Sequence, residues 1–75
     1  MKKLVLTGAK GRLGSYLREP LSKMCDEFVS SDILEAPEKL NSNEIYIQAD
    51  LADLDAMIEL LNGADMVVHL SLIHI

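Results

Sequence analysis

Apolar residues along the chain recur with two different periods. Leu4-Val5-Leu6, Phe28-Val29, Ile45-Tyr46-Ile47 and Met66-Val67-Val68-His69-Leu70 are short runs of strand type. Leu13, Tyr16, Leu17, Leu21 and Met24, and later Ala56, Met57, Leu60 and Leu61, fall instead at helical spacing and mark one face each. The strand-type runs Leu4-Val5-Leu6 and Met66 to Leu70 lack polar alternation, which suits strands buried on both faces of a parallel sheet. Pro20 stands inside the first helical pattern, so it is expected to kink the helix near Tyr16 or to begin its last turn. The second strand runs into Ser30-Ser31-Asp32 and the third ends at Gln48-Ala49-Asp50. Ile33 to Asn43, with Pro37, two asparagines and mixed charge, reads as a loop, a single helical turn being the alternative. Asp53 is placed to N-cap the second helix and Asn62-Gly63 to stop it. Strands alternating with helices in the order β-α-β-(loop)-β-α-β predict right-handed crossovers. The expected fold is the first portion of a doubly wound parallel α/β sheet, strand order 3-2-1-4.

Composition narrows the class. Seventy-five residues make at most one small domain, and a chain of this size buries only about 60% of its unfolded surface. An apolar fraction of 49% is ample for a core, and with aromatics at 4% that core must rest on Leu, Ile, Val, Ala and Met. A formal net charge of −5 argues against nucleic acid as a partner, since that demands a basic face. No apolar run approaches the ~18–20 residues of a membrane span. The run after Lys2-Lys3 ends at Thr7, too early for a signal-peptide core. Cys25 stands alone and forms no internal disulfide. A cytoplasmic location is the expectation.

The segment Leu4 to Leu17, LVLTGAKGRLGSYL, carries the candidate chemistry. A buried strand delivers the chain to a tight turn at Thr7-Gly8, where a positive φ or close backbone approach requires glycine. Gly11, without a Cβ, lets an anion come close to the backbone at the start of the helix. Gly14, one turn on, allows the helix to pack tightly. The helix N-terminus offers unpaired N–H groups and a positive dipole end, the requirements of a pyrophosphate. The spacing G-x-x-G-x-x-G differs from the commoner G-x-G-x-x-G, but its place between strand and helix is that of a dinucleotide fingerprint.

Such a fingerprint calls for an acidic residue at the end of the second strand. Asp32 stands there, eighteen residues after Gly14, where its carboxylate can accept both hydroxyls of the adenosine ribose and repel a 2′-phosphate. That favours NAD over NADP, although Arg12, inside the glycine loop, offers a 2′-phosphate a partner if it is not simply solvated. Asp50 closes the third strand at the same edge. It can accept from the adenine amino group while Leu51 presents backbone and apolar surface to the ring; capping the next helix is the alternative, which Asp53 fills better. His69 ends the fourth strand, where a lone histidine is more often structural than an acid–base group. Cys25 reads as a semi-buried spacer, and Lys10 as pointing to solvent.

TGAKGRLG, Asp32, ADL at Ala49–Leu51 and VVHL at Val67–Leu70 together resemble the extended short-chain dehydrogenase/reductase superfamily of NAD-dependent epimerases and dehydratases. The resemblance covers Met1 to Leu70 and implies the N-terminal part of a Rossmann-type NAD(P)-binding domain over residues 1–70. LGSYLRE, the loop after Asp32 and QADLADLDAM look most similar to uronate dehydrogenases, which oxidise hexuronates at C1 to aldarolactones with NAD. The resemblance implies that Gly8, Gly11 and Gly14 are cofactor glycines and that Arg12 and Leu13 lie along the pyrophosphate. Asp32 would hold the ribose, Asp50 and Leu51 the adenine, and His69 and Leu70 would pass beside the nicotinamide ribose. A proline at position 20 departs from what the resemblance leads one to expect in mid-helix.

The resemblance also implies a catalytic Tyr-x-x-x-Lys. Tyr16 is followed four residues on by Pro20 and Tyr46 by Asp50, so neither opens that motif, and no catalytic residue is assigned in this chain. The expectation is an N-terminal fragment, inactive alone, of an oxidoreductase, epimerase or dehydratase. The sugar or uronate would be bound by the missing part, and the parent would be a homo-oligomer. Ser71 to Ile75 break the pattern of small residues implied after VVHL. LSLIHI is the translation of CTGTCTCTTATACACATC, a transposon end used in sequencing libraries, so residues 71–75 are expected to be a non-native tail. Ending at this point, the sheet would expose the edge where a further strand should pair, and the isolated chain is expected to fold poorly. A non-catalytic NAD(P)-sensing protein on the same fold is the alternative function.

Overall fold

The computed structural model describes residues 1–50 and 52–70. Its elements are β1 (Lys3–Thr7), α1 (Arg12–Ser22), β2 (Glu27–Asp32), β3 (Glu44–Gln48), α2 (Leu54–Leu61) and β4 (Met66–His69). The four strands form one sheet in the order β3-β2-β1-β4, every pair parallel. Leu51, expected beside the adenine, and the tail at 71–75 lie outside the described residues.

β1 occupies a central position because it is apolar on both faces. Leu4, Val5 and Leu6 are all fully buried. Alternation divides them between two cores: Leu4 and Leu6 pack with Ala9, Phe28 and Leu21 of α1, while Val5 packs with Val29 and with Leu60 and Met57 of α2. The helices thus cover opposite faces, as right-handed crossovers from a parallel sheet require.

Both helix boundaries of α2 follow the local chemistry read from the sequence. Asp53 accepts a hydrogen bond from the Ala56 N–H at 3.1 Å, and Gly63 takes φ 75° just beyond the C-cap at Asn62. Pro20 lies in the last turn of α1, the second of the two expected outcomes. Residues 33–43 form a loop with bends and no helix, ending in a hydrogen-bonded turn at 42–43 that the Glu44 N–H closes onto the Asn41 carbonyl at 3.0 Å.

Two expectations about burial need correction. The stripe Leu13, Tyr16 and Met24 does not face the core: these residues are 58%, 78% and 53% exposed. α1 instead presses its glycine, Gly14, onto the turn after β1, which swings contact toward Gly14, Leu21 and Ser22. β4 is not buried on both faces either. Met66, Val67 and His69 are exposed, because β4 pairs only with β1 and stands at the sheet edge among the described residues.

α1 is tied to the outer strand β3 by an ion pair. Arg18 donates from Nε to Glu44 Oε2 at 2.8 Å and from Nη2 to Oε1 at 2.9 Å, and Nη2 also donates to the Lys39 carbonyl. Asn41 donates to Oε1 through its backbone and side chain, and the Ser30 hydroxyl donates to Oε2. Burial works against ionisation of Glu44, but Arg18, Asn41 and Ser30 outweigh it and hold the pKa at about 2, below the ordinary 4.5. A folded-state pKa below the unfolded value means that the stabilisation is complete above about pH 4.5 and is lost as the pH falls toward 2. Its size is on the order of 3 kcal/mol. Denaturant titrations between pH 6 and pH 2 are therefore expected to show a steep acid loss that flattens in Glu44→Gln.

Candidate cofactor site

β1 and β2 carry their ends to the same edge of the sheet, and the glycine loop lies across them. Gly8 turns the chain with φ 72°, and the loop is pinned to β2 by a bond from the Ala9 N–H to the Ser31 carbonyl at 3.0 Å. A Cβ on Gly8 would also stand 2.4 Å from the Leu70 carbonyl oxygen. Gly8 thus answers both the left-handed φ and the close approach anticipated for it. Gly14 lets α1 pack close, but against the loop rather than the strands: a Cβ there would lie 2.2 Å from the Gly8 carbonyl oxygen and 2.9 Å from the Ala9 Cα.

Gly11 differs from both. A Cβ on it would meet only the Gly8 carbonyl oxygen, at 3.3 Å, so the ground beside it is open. Gly11 is also the N-cap of α1, and no side chain caps that end among the described residues. The first helical bond of α1 runs from the Ser15 N–H to the Gly11 carbonyl at 2.9 Å. The N–H groups of Arg12, Leu13 and Gly14 come ahead of it and point out of the helix end. No acidic residue stands in this first turn, and Arg12 adds a positive charge; α2, by contrast, is closed by Asp53 and carries Asp55 in its first turn. Of the two helix N-termini, α1 is built to receive an anion.

Asp32 stands across this opening, buried to 7% exposure at the end of β2. Its Oδ2 accepts the Lys10 N–H at 2.8 Å and its Oδ1 the Leu34 N–H at 3.2 Å. The carboxylate therefore touches the glycine loop directly, and each oxygen keeps acceptor capacity for a further donor. Lys10, expected to point to solvent, is half-buried, and its backbone contributes this bond.

Asp50 arrives at the same edge through β3, where the Ala49 N–H donates to the Asp32 carbonyl at 2.9 Å. The Asp50 side chain is exposed and accepts the Ala52 N–H at 2.9 Å, closing a local turn. Arg12 and Leu13 are exposed on the first turn of α1, beside Gly11. His69 lies on the other side of the loop with its Nδ1 2.7 Å from the Thr7 hydroxyl, a contact between strand ends in keeping with its structural reading. Leu70 follows, its N–H donating to the Thr7 carbonyl at 3.3 Å. Cys25 sits at the opposite end of α1, half-buried, and burial pushes its thiol up, so it forms no reactive thiolate here.

Sequence reasoning missed Tyr46 and Gln48. Both side chains reach the carbonyls of residues 32–34, immediately behind Asp32. The available signal was the strict alternation of Glu44-Ile45-Tyr46-Ile47-Gln48, which places three polar side chains on one face of β3.

Comparison with known proteins places this arrangement. Residues 4–74 match the family model described as NAD dependent epimerase/dehydratase. Uronate dehydrogenase from Pseudomonas syringae pv. tomato is 40% identical over 67 residues, covering 89% of this chain and 24% of its own length. A crystal structure of uronate dehydrogenase from Agrobacterium tumefaciens, a mutant complexed with NAD, superposes with a TM-score of 0.88 at 37% identity, covering all of this chain and 28% of that one. Glucuronic acid dehydrogenase from Chromohalobacter salexigens follows with a TM-score of 0.87 at 31% identity, over 99% of this chain and 27% of that one. The chain thus spans about a quarter of the length of the relatives it matches. With the glycine loop, the open helix end and the buried Asp32 on one sheet edge, the chain belongs to the NAD dependent epimerase/dehydratase family.

Proposed function

We propose that this chain is the adenosine- and pyrophosphate-holding portion of an NAD-dependent uronate dehydrogenase. The observation that carries the reading is the uncapped N-terminus of α1 opening beside Gly11, with the Asp32 carboxylate bonded to the same loop. The similarity to uronate dehydrogenases, one of them complexed with NAD, supports it.

In this reading the N–H groups of Arg12, Leu13 and Gly14 hold the pyrophosphate oxygens, and the helix dipole and the Arg12 guanidinium favour their charge. Gly8 and Gly11 keep side chains out of that space. Asp32 accepts from the adenosine ribose hydroxyls and, already held by two backbone donors, does so without reorganising. A 2′-phosphate would be repelled by the same carboxylate, so NAD is favoured over NADP. Asp50, with Leu51, borders the adenine, and His69 and Leu70 border the nicotinamide ribose. When bound, NAD supplies the hydride acceptor for oxidation at C1 of a hexuronate. Neither Tyr16 nor Tyr46 begins a Tyr-x-x-x-Lys, so the proton relay and the sugar-binding groups are assigned to sequence beyond this segment.

The test is cofactor titration and hexuronate oxidation by the full-length protein that carries this segment. NAD is expected to bind more tightly than NADP, and hexuronate is expected to reduce it. Asp32→Ala is expected to weaken NAD by about tenfold or more while sparing NADP, because a hydrogen bond to a charged group is lost only for NAD. Tighter binding of NADP by the unaltered protein, or equal NAD affinity in the variant, would refute the role given to Asp32. Cofactor binding without oxidation of any hexuronate would refute the substrate.

A further inference from the structure

β3 sets Glu44, Tyr46 and Gln48 on the face it shares with Phe28 and Ser30 of β2. Glu44 is engaged by Arg18, but the other two serve no ion pair. The Tyr46 hydroxyl donates to the Leu34 carbonyl and lies 3.3 Å from the Asp32 carbonyl oxygen. Gln48 Nε2 donates to the Ile33 carbonyl at 3.0 Å. Two side chains two residues apart on one strand thus engage three successive carbonyls, those of residues 32, 33 and 34. The same turn is closed on its other side by the Asp32 carboxylate, through Lys10 and Leu34. Burial pushes the Tyr46 phenol up, and the Asp32 charge pushes in the same direction, so the hydroxyl stays protonated and remains a donor at neutral pH.

We propose that Tyr46 is a positioning residue for Asp32, holding the turn at 32–34 from behind so that the carboxylate meets the adenosine ribose hydroxyls in one orientation, with Gln48 in support. The inference rests on the cofactor reading above. A carboxylate on a loose turn still attracts a ribose, but it selects a hydroxyl at a given position only when its own geometry is held by surrounding bonds. Removing the phenol oxygen leaves the Leu34 carbonyl to water and gives the turn freedom to rotate the carboxylate away.

The readout is the ratio of affinities for NAD and for NAD carrying 2′-deoxyadenosine, measured by calorimetry on the full-length protein. The unaltered protein is expected to prefer NAD by about tenfold, and Asp32→Ala to erase the preference. Tyr46→Phe is expected to lower NAD affinity by about fivefold while leaving the deoxy analogue within about twofold, so that the ratio falls. Gln48→Leu, which leaves the Tyr46 contacts in place, is expected to move the ratio the same way by about twofold, and serves if Tyr46→Phe does not fold. Equal weakening of both ligands, as general loosening of the fold would produce, or no change in either, overturns the role of Tyr46 while leaving that of Asp32 intact. If the unaltered protein does not distinguish the two ligands, the cofactor reading itself falls and takes this proposal with it.

Discussion

Replacing Gly14 with valine is expected to remove both dinucleotide binding and much of the folding stability. The reason is where a Cβ would go: 2.2 Å from the Gly8 carbonyl oxygen and 2.9 Å from the Ala9 Cα, both backbone atoms. A flexible side chain could swing aside, but this backbone is fixed by the bond from Ala9 to Ser31 and by Lys10 to Asp32. Relief therefore requires α1 to lift from the loop, opening the contact of Leu21 with Leu4, Leu6 and Phe28. Overpacking of a tight contact costs about 1–3 kcal/mol, and valine against two backbone atoms belongs at or above the upper end. Gly11→Ala supplies the contrast, because its Cβ would meet only one atom, at 3.3 Å. That variant is expected to melt within a few degrees of the unaltered protein but to bind NAD at least tenfold more weakly, the methyl group standing where the proposed reading brings the pyrophosphate. Thermal melts and NAD titration of both variants check this. A Gly14→Val protein that melts normally would show that α1 does not sit as closely on the loop as the structure places it.

Arg18→Ala is the second large loss. The Glu44 side chain has no exposed surface, and Arg18 supplies two of the five hydrogen bonds its carboxylate accepts. Removing one partner of a buried pair costs about 3–5 kcal/mol, because the charge left behind is neither hydrated nor neutralised. The Glu44 pKa is expected to climb back from about 2 toward or above its ordinary 4.5, so the acid loss of stability from this group shrinks and disappears, or reverses once the folded pKa exceeds 4.5. Replacing both residues with leucine is expected to recover most of the stability, since no charge then remains buried. Denaturant unfolding of the single and double variants decides it; a single-variant loss below about 1 kcal/mol would mean that water already reaches the pair. The loop at 33–43 should also loosen, because Arg18 holds the Lys39 carbonyl and Glu44 holds Asn41.

Much of the architecture was legible without coordinates. Leu4-Val5-Leu6 announces a strand covered on both faces, Asp53 and Asn62-Gly63 bracket α2, Gly8 and Asp32 sit at strand ends where the chain must turn, and Gly11 stands at the start of α1. Each of these signals is local: a period, a cap or a residue tolerant of positive φ acts within a few positions of itself. The exposure of Leu13, Tyr16 and Met24 was not legible, because helical periodicity defines a stripe but not what lies opposite it. Gly14 turned α1 by letting it approach the loop, and a glycine carries no weight in a hydrophobic pattern. β4 misled for a related reason. Met66-Val67-Val68 is as apolar as β1, but burial depends on having a neighbour on each side, and β4 has only β1 among the described residues.

The sequence by itself determined the order of the elements, the parallel sheet they build and the edge at which the proposed dinucleotide cradle lies. Tertiary structure alone decided how that cradle is held. Arg18 and Glu44 are 26 positions apart, Lys10 and Asp32 are 22, and Tyr46 reaches back 12 and 14 to Leu34 and Asp32. No periodicity links residues at such separations. They meet because parallel pairing sets Ser30 beside Tyr46 and Asp32 beside Gln48, and that register exists only once the strands have come together.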